Sequence, residues 1–123
     1  FLAGLQKQDN SIYLVALLDG AIVGSISFMG GRRARTAHTG EFGVSVLKAH
    51  WGKGIGTALM EALLKWCRGT GTIRKVNLRV RPDNTGAIQI YRKLGFKEEG
   101  RTTRDLYING VFIDSIIMGY EID

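Results

Sequence analysis

The chain has 123 residues, of which 45% are hydrophobic, and a formal net charge of +6. This length and composition predict one folded domain over residues 1–123 and exclude a low-complexity chain. No apolar run approaches the ~20 residues of a membrane-spanning helix, and the single cysteine, Cys67, excludes an internal disulfide. We therefore expect a protein of the cytoplasm, a reducing compartment, with no membrane partner.

The first part of the chain has the pattern of an antiparallel meander. Apolar, β-branched runs at 12–18 and 21–29 are joined by Asp19-Gly20, a strong signal for a hairpin turn. A basic loop over 30–36 then leads to a third predicted strand at 38–47. Three strands joined in this way would lie side by side in one sheet.

After the meander, the apolar residues of the chain have helical spacing. Apolar residues three and four apart predict a helix from about residue 54 to residue 68, ended by the Gly69-Thr70-Gly71 break. Alternation over 75–80 predicts a strand that stops before Pro82. The next apolar face predicts a second helix that Gly95 would cap.

The chain closes with two further predicted strands, at 97–107 and 111–122, in a hairpin around Asn109-Gly110. The whole order predicts an antiparallel meander, a crossover helix, a parallel strand, a second helix and a closing hairpin.

The segment Trp51-Gly52-Lys53-Gly54-Ile55-Gly56-Thr57 links the third strand to the first helix. The first turn of a helix has backbone N–H groups without intrahelical partners and suits phosphate oxygens, and glycines allow a ligand to approach the backbone closely. Leu59 stands where a dinucleotide fingerprint needs its third glycine, and no Ser or Thr follows Lys53 as a P-loop requires. The loop therefore predicts a pyrophosphate site of another kind.

This loop resembles the [Q/R]-x-x-G-x-[G/A] segment of the GNAT superfamily of N-acetyltransferases, with Trp51 at the Gln or Arg position. The segment over 84–96, N-T-G-A-I-Q-I-Y-R-K-L-G-F, is similar to the family's N-x-x-A-x-x-x-Y-x-x-x-G-F motif. The resemblance runs from about Ile12 to the C-terminus. It is closest to the spermidine and small-amine branches, which end in a hairpin like Tyr107-Ile108-Asn109-Gly110.

The resemblance implies an α/β fold with a mixed, mainly antiparallel sheet that splays between two central strands and is flanked by helices. It also implies a preceding strand and two helices. We do not find these in the sequence, so we expect the chain to be N-terminally incomplete. The missing helices would normally wall the acceptor site.

The resemblance further implies acetyl-CoA as acyl donor and no metal. The pantetheine arm would lie in the splay and hydrogen-bond to strand backbone. The basic residues around the loop would favour this polyanionic ligand, although a solvated basic face is the simpler reading of any one of them. The predicted cofactor-binding residues are Val44, Ser45, Val46, Trp51, Gly52, Lys53, Gly54, Ile55, Gly56, Thr57, Asn84, Ala87, Tyr91 and Lys93.

The implied reaction is the attack of a primary amine on a thioester. About one alkylamine in a thousand is neutral at pH 7, so a base or a water chain must take its proton. Glu41 is the candidate base, with a substrate-orienting carboxylate or a strand-end charge as the alternative; His38 is a weaker candidate. Tyr91 matches the family's general acid, the alternative being a core aromatic residue.

Two further residues have two readings each. Asn84 could cap the second helix or bind the pantetheine arm, and the resemblance favours the arm. Cys67 lies on the apolar stripe of the first helix and suits a core side chain, which favours direct transfer over an acyl-enzyme.

The sequence leaves rival functions and several partners open. A catalytically idle acyl-CoA-binding domain of the same fold remains an alternative. A basic nucleic-acid-binding module is a second alternative, but no aromatic residues are interleaved with the charges, so no nucleic-acid partner is predicted. A polyamine, an amino acid, an antibiotic or a protein N-terminus could be the amine acceptor, and a homodimer is also open.

Overall fold

The computed structural model of the protein describes residues 2–8 and 10–123. Seven strands form one sheet in the order β1-β2-β3-β4-β5-β7-β6, and every neighbouring pair is antiparallel except the parallel pair β4–β5. The elements are β1 (Leu2–Gln8), β2 (Ser11–Leu18), β3 (Ala21–Gly30), β4 (Thr39–Val46), α1 (Ile55–Thr70), β5 (Lys75–Val80), α2 (Thr85–Leu94), β6 (Lys97–Ile108) and β7 (Val111–Glu121). This mixed, mainly antiparallel α/β arrangement is the predicted fold class.

The two predicted hairpin turns are confirmed by their backbone angles. Asp19 and Gly20 have φ of 52° and 81°, and Asn109 and Gly110 have φ of 51° and 78°. Turns with two left-handed residues match the right-handed twist of the strands on either side. Asn, Asp and Gly tolerate this left-handed conformation best.

The structure differs from the predictions by more than one residue at two places. The sequence showed no strand ahead of residue 12, yet Leu2–Gln8 forms β1, paired with β2 from Leu2↔Ala16 to Gln8↔Ser11. Backbone pairing to a sheet edge does not require an alternating pattern, and this segment has none. Helix α1 also runs through Gly69 and Thr70, because left-handed Gly71 (φ 70°) is the residue that ends it.

Both helices pack on the same face of the sheet, called here the helix face. Phe28 on β3 contacts Trp66 of α1, with ring centroids 6.1 Å apart, and pairs across the strands with Phe42 on β4. Phe42 in turn contacts Tyr91 of α2 at 6.0 Å. Cys67 lies fully buried in the resulting core, as predicted.

The opposite face, called here the open face, carries the alternate residues of the same strands. Met29, Glu41 and Asn77 lie in one cross-strand row, because Met29 pairs with Glu41 and Glu41 pairs with Asn77. Successive side chains of a strand point to opposite faces, so Glu41 and Phe42 diverge. Among the residues that the structure describes, no helix has both the length and the apolar character of a membrane span.

The predicted splay between the central strands is present. Strands β4 and β5 pair only from Thr39↔Lys75 to Glu41↔Asn77, whereas β5 continues alongside β7 as far as Val80↔Ile116. Residues 42–46 of β4 therefore have no partner strand on the β5 side. We call the gap between residues 42–46 and residues 78–80 the split, and Glu41 stands at its closed end.

Candidate active site

A cleft of about 570 Å³ lies on the helix face, where the end of β4, the start of α1 and one side of α2 meet. All the predicted cofactor-binding residues line it except Lys53 and Lys93. They are Val44, Ser45, Val46, Trp51, Gly52, Gly54, Ile55, Gly56, Thr57, Asn84, Ala87 and Tyr91, and the sequence analysis missed His50 and Ile90, which also line the cleft.

The start of α1 has the geometry of an anion site. Gly52 and Gly54 both have φ of 78°, and Gly54 is the left-handed residue that precedes the helix. No side chain caps the first turn and no acidic residue lies in it, so its N–H groups and its partial positive charge face the cleft. A Cβ at Gly56 would meet only the Val46 side chain, at 3.9 Å.

Trp51 has a role that the sequence pattern did not predict. Its indole Nε1–H donates a hydrogen bond to the Val46 carbonyl oxygen at 2.8 Å, while the residue stays 64% exposed. This bond ties the glycine-rich loop over residues 51–57 to the last residue of β4. It also occupies one lone pair of a carbonyl that was predicted to pair with the pantetheine arm.

The two lysines lie outside the cleft for different reasons. Lys53 Nζ is 3.2 Å from His50 Nδ1, so it lies next to a residue that lines the cleft. Lys93 is exposed on α2, two residues after Tyr91. Each helical residue turns the direction by about 100°, which points Lys93 away from the side that carries Asn84, Ala87 and Tyr91.

Asn84 caps α2. Its Oδ1 accepts a hydrogen bond from the Ala87 backbone N–H at 3.3 Å. The cap uses only the carbonyl side of the amide, so the Nδ2 donors remain for a ligand in the cleft. The Asn84 side chain can therefore cap α2 and still offer its Nδ2 donors to a ligand, so the two roles predicted from the sequence do not exclude each other.

Tyr91 lies half-buried in the cleft wall. Its ring packs against Phe42 and Phe96, each at 6.0 Å between centroids, and those two rings are also 6.0 Å apart. Burial raises the pKa of the Tyr91 phenol above its usual value near 10. The hydroxyl therefore keeps its proton over the whole ordinary pH range, as a proton donor must.

Glu41 lies across the sheet from Tyr91, exposed on the open face. Its Oε1 is 3.4 Å from Arg79 Nε, and Arg79 Nη1 donates to both oxygens of Asp105, at 3.1 and 3.2 Å. The bond to Asp105 is the main cause of a raised Arg79 pKa. Sequence reasoning missed Arg79 and Asp105, since their proximity to Glu41 depends on strand order.

The weaker base candidate has a different place. His38 precedes β4, and its carbonyl oxygen accepts the N–H groups of Arg74 and Lys75 at 2.7 and 3.1 Å. It is therefore at the opposite end of β4 from the glycine-rich loop. Among the described residues, no group of three or more His, Cys, Asp or Glu side chains could hold a metal ion.

The family follows from this geometry together with the sequence. The family model of the acetyltransferase (GNAT) family matches residues 2–96. The chain belongs to the GNAT acetyltransferase family. The two sequence motifs and the splayed sheet agree with this membership.

Curated relatives carry acetyltransferase names. The L-amino acid N-acetyltransferase AaaT of Escherichia coli is 32% identical over 105 residues, which cover 85% of this chain and 65% of that protein. The spermidine N(1)-acetyltransferase of Vibrio cholerae is 31% identical over 74 residues, covering 60% and 43% respectively. The chain thus spans less than two thirds of the length of these relatives.

Solved structures with a similar fold also carry acetyltransferase names. The GNAT acetyltransferase of Streptococcus pneumoniae is 36% identical with a TM-score of 0.91, covering 94% of this chain and 69% of that one. The protein yncA of Salmonella typhimurium, solved with its cofactor acetyl-CoA, is 26% identical with a TM-score of 0.85, covering 94% and 66%. Acetyl-CoA is thus the cofactor bound within this fold.

Proposed function

We propose that this protein transfers the acetyl group of acetyl-CoA directly to a primary amine. The observation that carries the proposal is the continuity of the split with the start of α1. The uncapped first turn of α1, an unpaired strand edge and the Tyr91 side chain all line a single cleft. The relatives named above act, by their names, on amino acids and spermidine, which are both amines.

The cleft suits the parts of the cofactor in order. The pyrophosphate would receive the N–H groups of the first turn of α1, beside Gly54 and Gly56. The amide-rich arm would run along residues 42–46 of β4 as an added strand, with Val46 partly engaged by Trp51. The thioester would then lie near the closed end of the split, between Tyr91 and Glu41.

The reaction needs one proton removed and one supplied. The amine nitrogen forms a bond to the thioester carbon, and Glu41 takes the amine proton, directly or through a water molecule. Collapse of the tetrahedral intermediate breaks the carbon–sulfur bond. Tyr91 gives its phenolic proton to the departing sulfur and regains one from solvent, so coenzyme A leaves as a thiol.

An acyl-enzyme on Cys67 is disfavoured. The side chain is fully buried in the core, and burial raises the pKa of its thiol to about 12. A thiol, unlike a thiolate, is a poor nucleophile. Direct transfer in a ternary complex therefore fits better, and a free buried thiol also suits a reducing location such as the cytoplasm.

The test combines binding with turnover. Calorimetry should detect acetyl-CoA binding, and thiol release with a panel of amines should yield N-acetylated products by mass spectrometry. Initial rates measured at varied concentrations of both substrates should give intersecting lines in double-reciprocal plots, as a ternary complex requires. Binding without thiol release from any amine would instead support the idle acyl-CoA-binding domain, and salt-sensitive binding of nucleic acid alone would support the nucleic-acid-binding module.

A further inference from the structure

The amine must reach the thioester from one side of the sheet, and the helix face is occupied there. Phe42, Tyr91 and Phe96 form a mutually packed aromatic cluster on that side of the closed end of the split. Neither helix covers the open face, where Glu41 is exposed. Of the two faces, the open face is therefore the one that leaves a path to Glu41 among the described residues.

The open face has two adjoining hollows that share Ser27 and Met29 in their walls. The first, called here the acid hollow, has about 470 Å³ and lies beside Glu41 and Asn77. The second, called here the basic hollow, has about 300 Å³ and lies beside Tyr13 and Arg32. An acceptor that starts at Glu41 can extend into the basic hollow.

The two hollows differ in charge. Near the acid hollow, Glu41 and Asp105 flank the single guanidinium of Arg79, so this end carries one net negative charge and suits an ammonium group. Arg32 lines the basic hollow, and Arg33 and Arg35 follow it in the same loop. Within residues 10–123, no carboxylate lies within 4.0 Å of these three arginines.

We propose that the acceptor is an aminocarboxylate whose amine lies at Glu41 and whose carboxylate is bound by Arg32. This inference rests on the proposed acetyl transfer. A diamine or polyamine would place its second ammonium group beside Arg32, where like charges repel. Glu41 and Arg32 line two adjoining hollows rather than the same one, so an acceptor with several bonds between its amine and its carboxylate fits.

The experiment uses a length series of ω-aminocarboxylates, the diamines of matched length and the methyl esters of the aminocarboxylates. Thiol release from acetyl-CoA measures kcat/KM for each. At the best chain length, kcat/KM for the aminocarboxylate should exceed that for both the ester and the diamine by about tenfold or more, because a hydrogen bond to a charged group contributes on that scale. Equal or better turnover of the matched diamine would overturn the inference.

Two arginine variants localise the effect. Arg32→Gln should raise KM for aminocarboxylates by about tenfold with kcat nearly unchanged, and remove the preference over methyl esters. It should also lower KM for the diamines, whose second ammonium group is no longer repelled. Arg33→Gln is the matched control, since it removes the same charge from the same loop but from a side chain outside the hollow; it should change neither parameter. The two variants behaving alike would overturn the role of Arg32.

The failure of the inference can be told from the failure of the proposed function. If diamines turn over well and aminocarboxylates poorly, acetyl transfer stands and only the acceptor class is wrong. If no amine releases thiol, acetyl transfer itself is wrong and the inference falls with it.

Discussion

The two faces of the sheet at the closed end of the split offer opposite environments. On the helix face, Tyr91 is half-buried among aromatic rings, and its phenol has a raised pKa. On the open face, Glu41 is exposed among charged partners, and water reaches it. The buried phenol on the helix face and the solvent-exposed carboxylate on the open face therefore match the proposed roles of acid and base respectively.

The largest effect is expected from Tyr91→Phe, which removes the proton donor of the helix face. The ring and its packing against Phe42 and Phe96 remain, so the variant should fold and bind acetyl-CoA nearly as well. Turnover should fall by about 10²–10⁴-fold. Acyl donors with more acidic thiols should lose less, because their thiolates leave without a proton; full activity on acetyl-CoA would remove Tyr91 from the mechanism.

The raised pKa of Tyr91 also predicts a pH profile. Because burial favours the neutral phenol, proton donation stays available up to and beyond the ordinary tyrosine pKa near 10. Any stability linked to this group is complete below that pH and is lost as pH rises through the higher folded-state value. The kcat of the parent should show no alkaline fall below pH 10; a fall near pH 8 or 9 would contradict the burial argument.

The next effect is expected from Glu41→Gln, which alters the open face. Turnover at pH 7 should fall by about 10²-fold, at the low end of the range for a general base, because water can partly replace an exposed carboxylate. The loss should shrink as pH rises and more amine becomes neutral. Acetyl-CoA affinity should not change, and a constant ratio of variant to parent rates from pH 6.5 to 9.5 would assign Glu41 to orientation instead.

A smaller effect, on binding alone, is expected from Gly56→Val in the first turn of α1. The added branch has room in the fold but would stand where phosphate approaches, so acetyl-CoA affinity should fall by roughly tenfold to a hundredfold, the loss of a charge-assisted hydrogen bond. Gly69→Val is the matched control in the same helix, with no atoms near its added Cβ. Equal affinities of the two variants for acetyl-CoA would exclude the anion site.

The smallest effect is expected at Asn84. Asn84→Ala should lower the free energy of unfolding by ~1 kcal/mol through loss of the cap on α2, measured by denaturant titration. Asn84→Ser should restore the cap, because a hydroxyl can accept from the same N–H, but its shorter side chain should not reach a ligand. If Asn84→Ser also keeps full acetyl-CoA affinity, Asn84 caps the helix and does not bind the arm.

The sequence predicted which residues line the cleft better than it predicted the partners of Glu41. The residues from Trp51 to Thr57 are neighbours in the chain, and most of them line the cleft. Their glycine spacing and their position before a helix were therefore enough to predict this part of the lining. Lys93 shows the limit of a motif, because its place on α2 points it away from Ala87 and Tyr91. Arg79 and Asp105 could not be predicted as partners of Glu41, because three different strands carry them.

The sequence by itself determined the features that depend on local conformation and short spacing. The turns at Asp19-Gly20 and Asn109-Gly110, both helices and the conformation of the glycine-rich loop are of this kind, because left-handed glycines and helical periodicity act within a few residues. Only the tertiary structure decided where β4 and β5 part and which partners Glu41 and Trp51 have. Strand register joins segments far apart in the chain, and a side chain's face, charge environment and burial follow from that register.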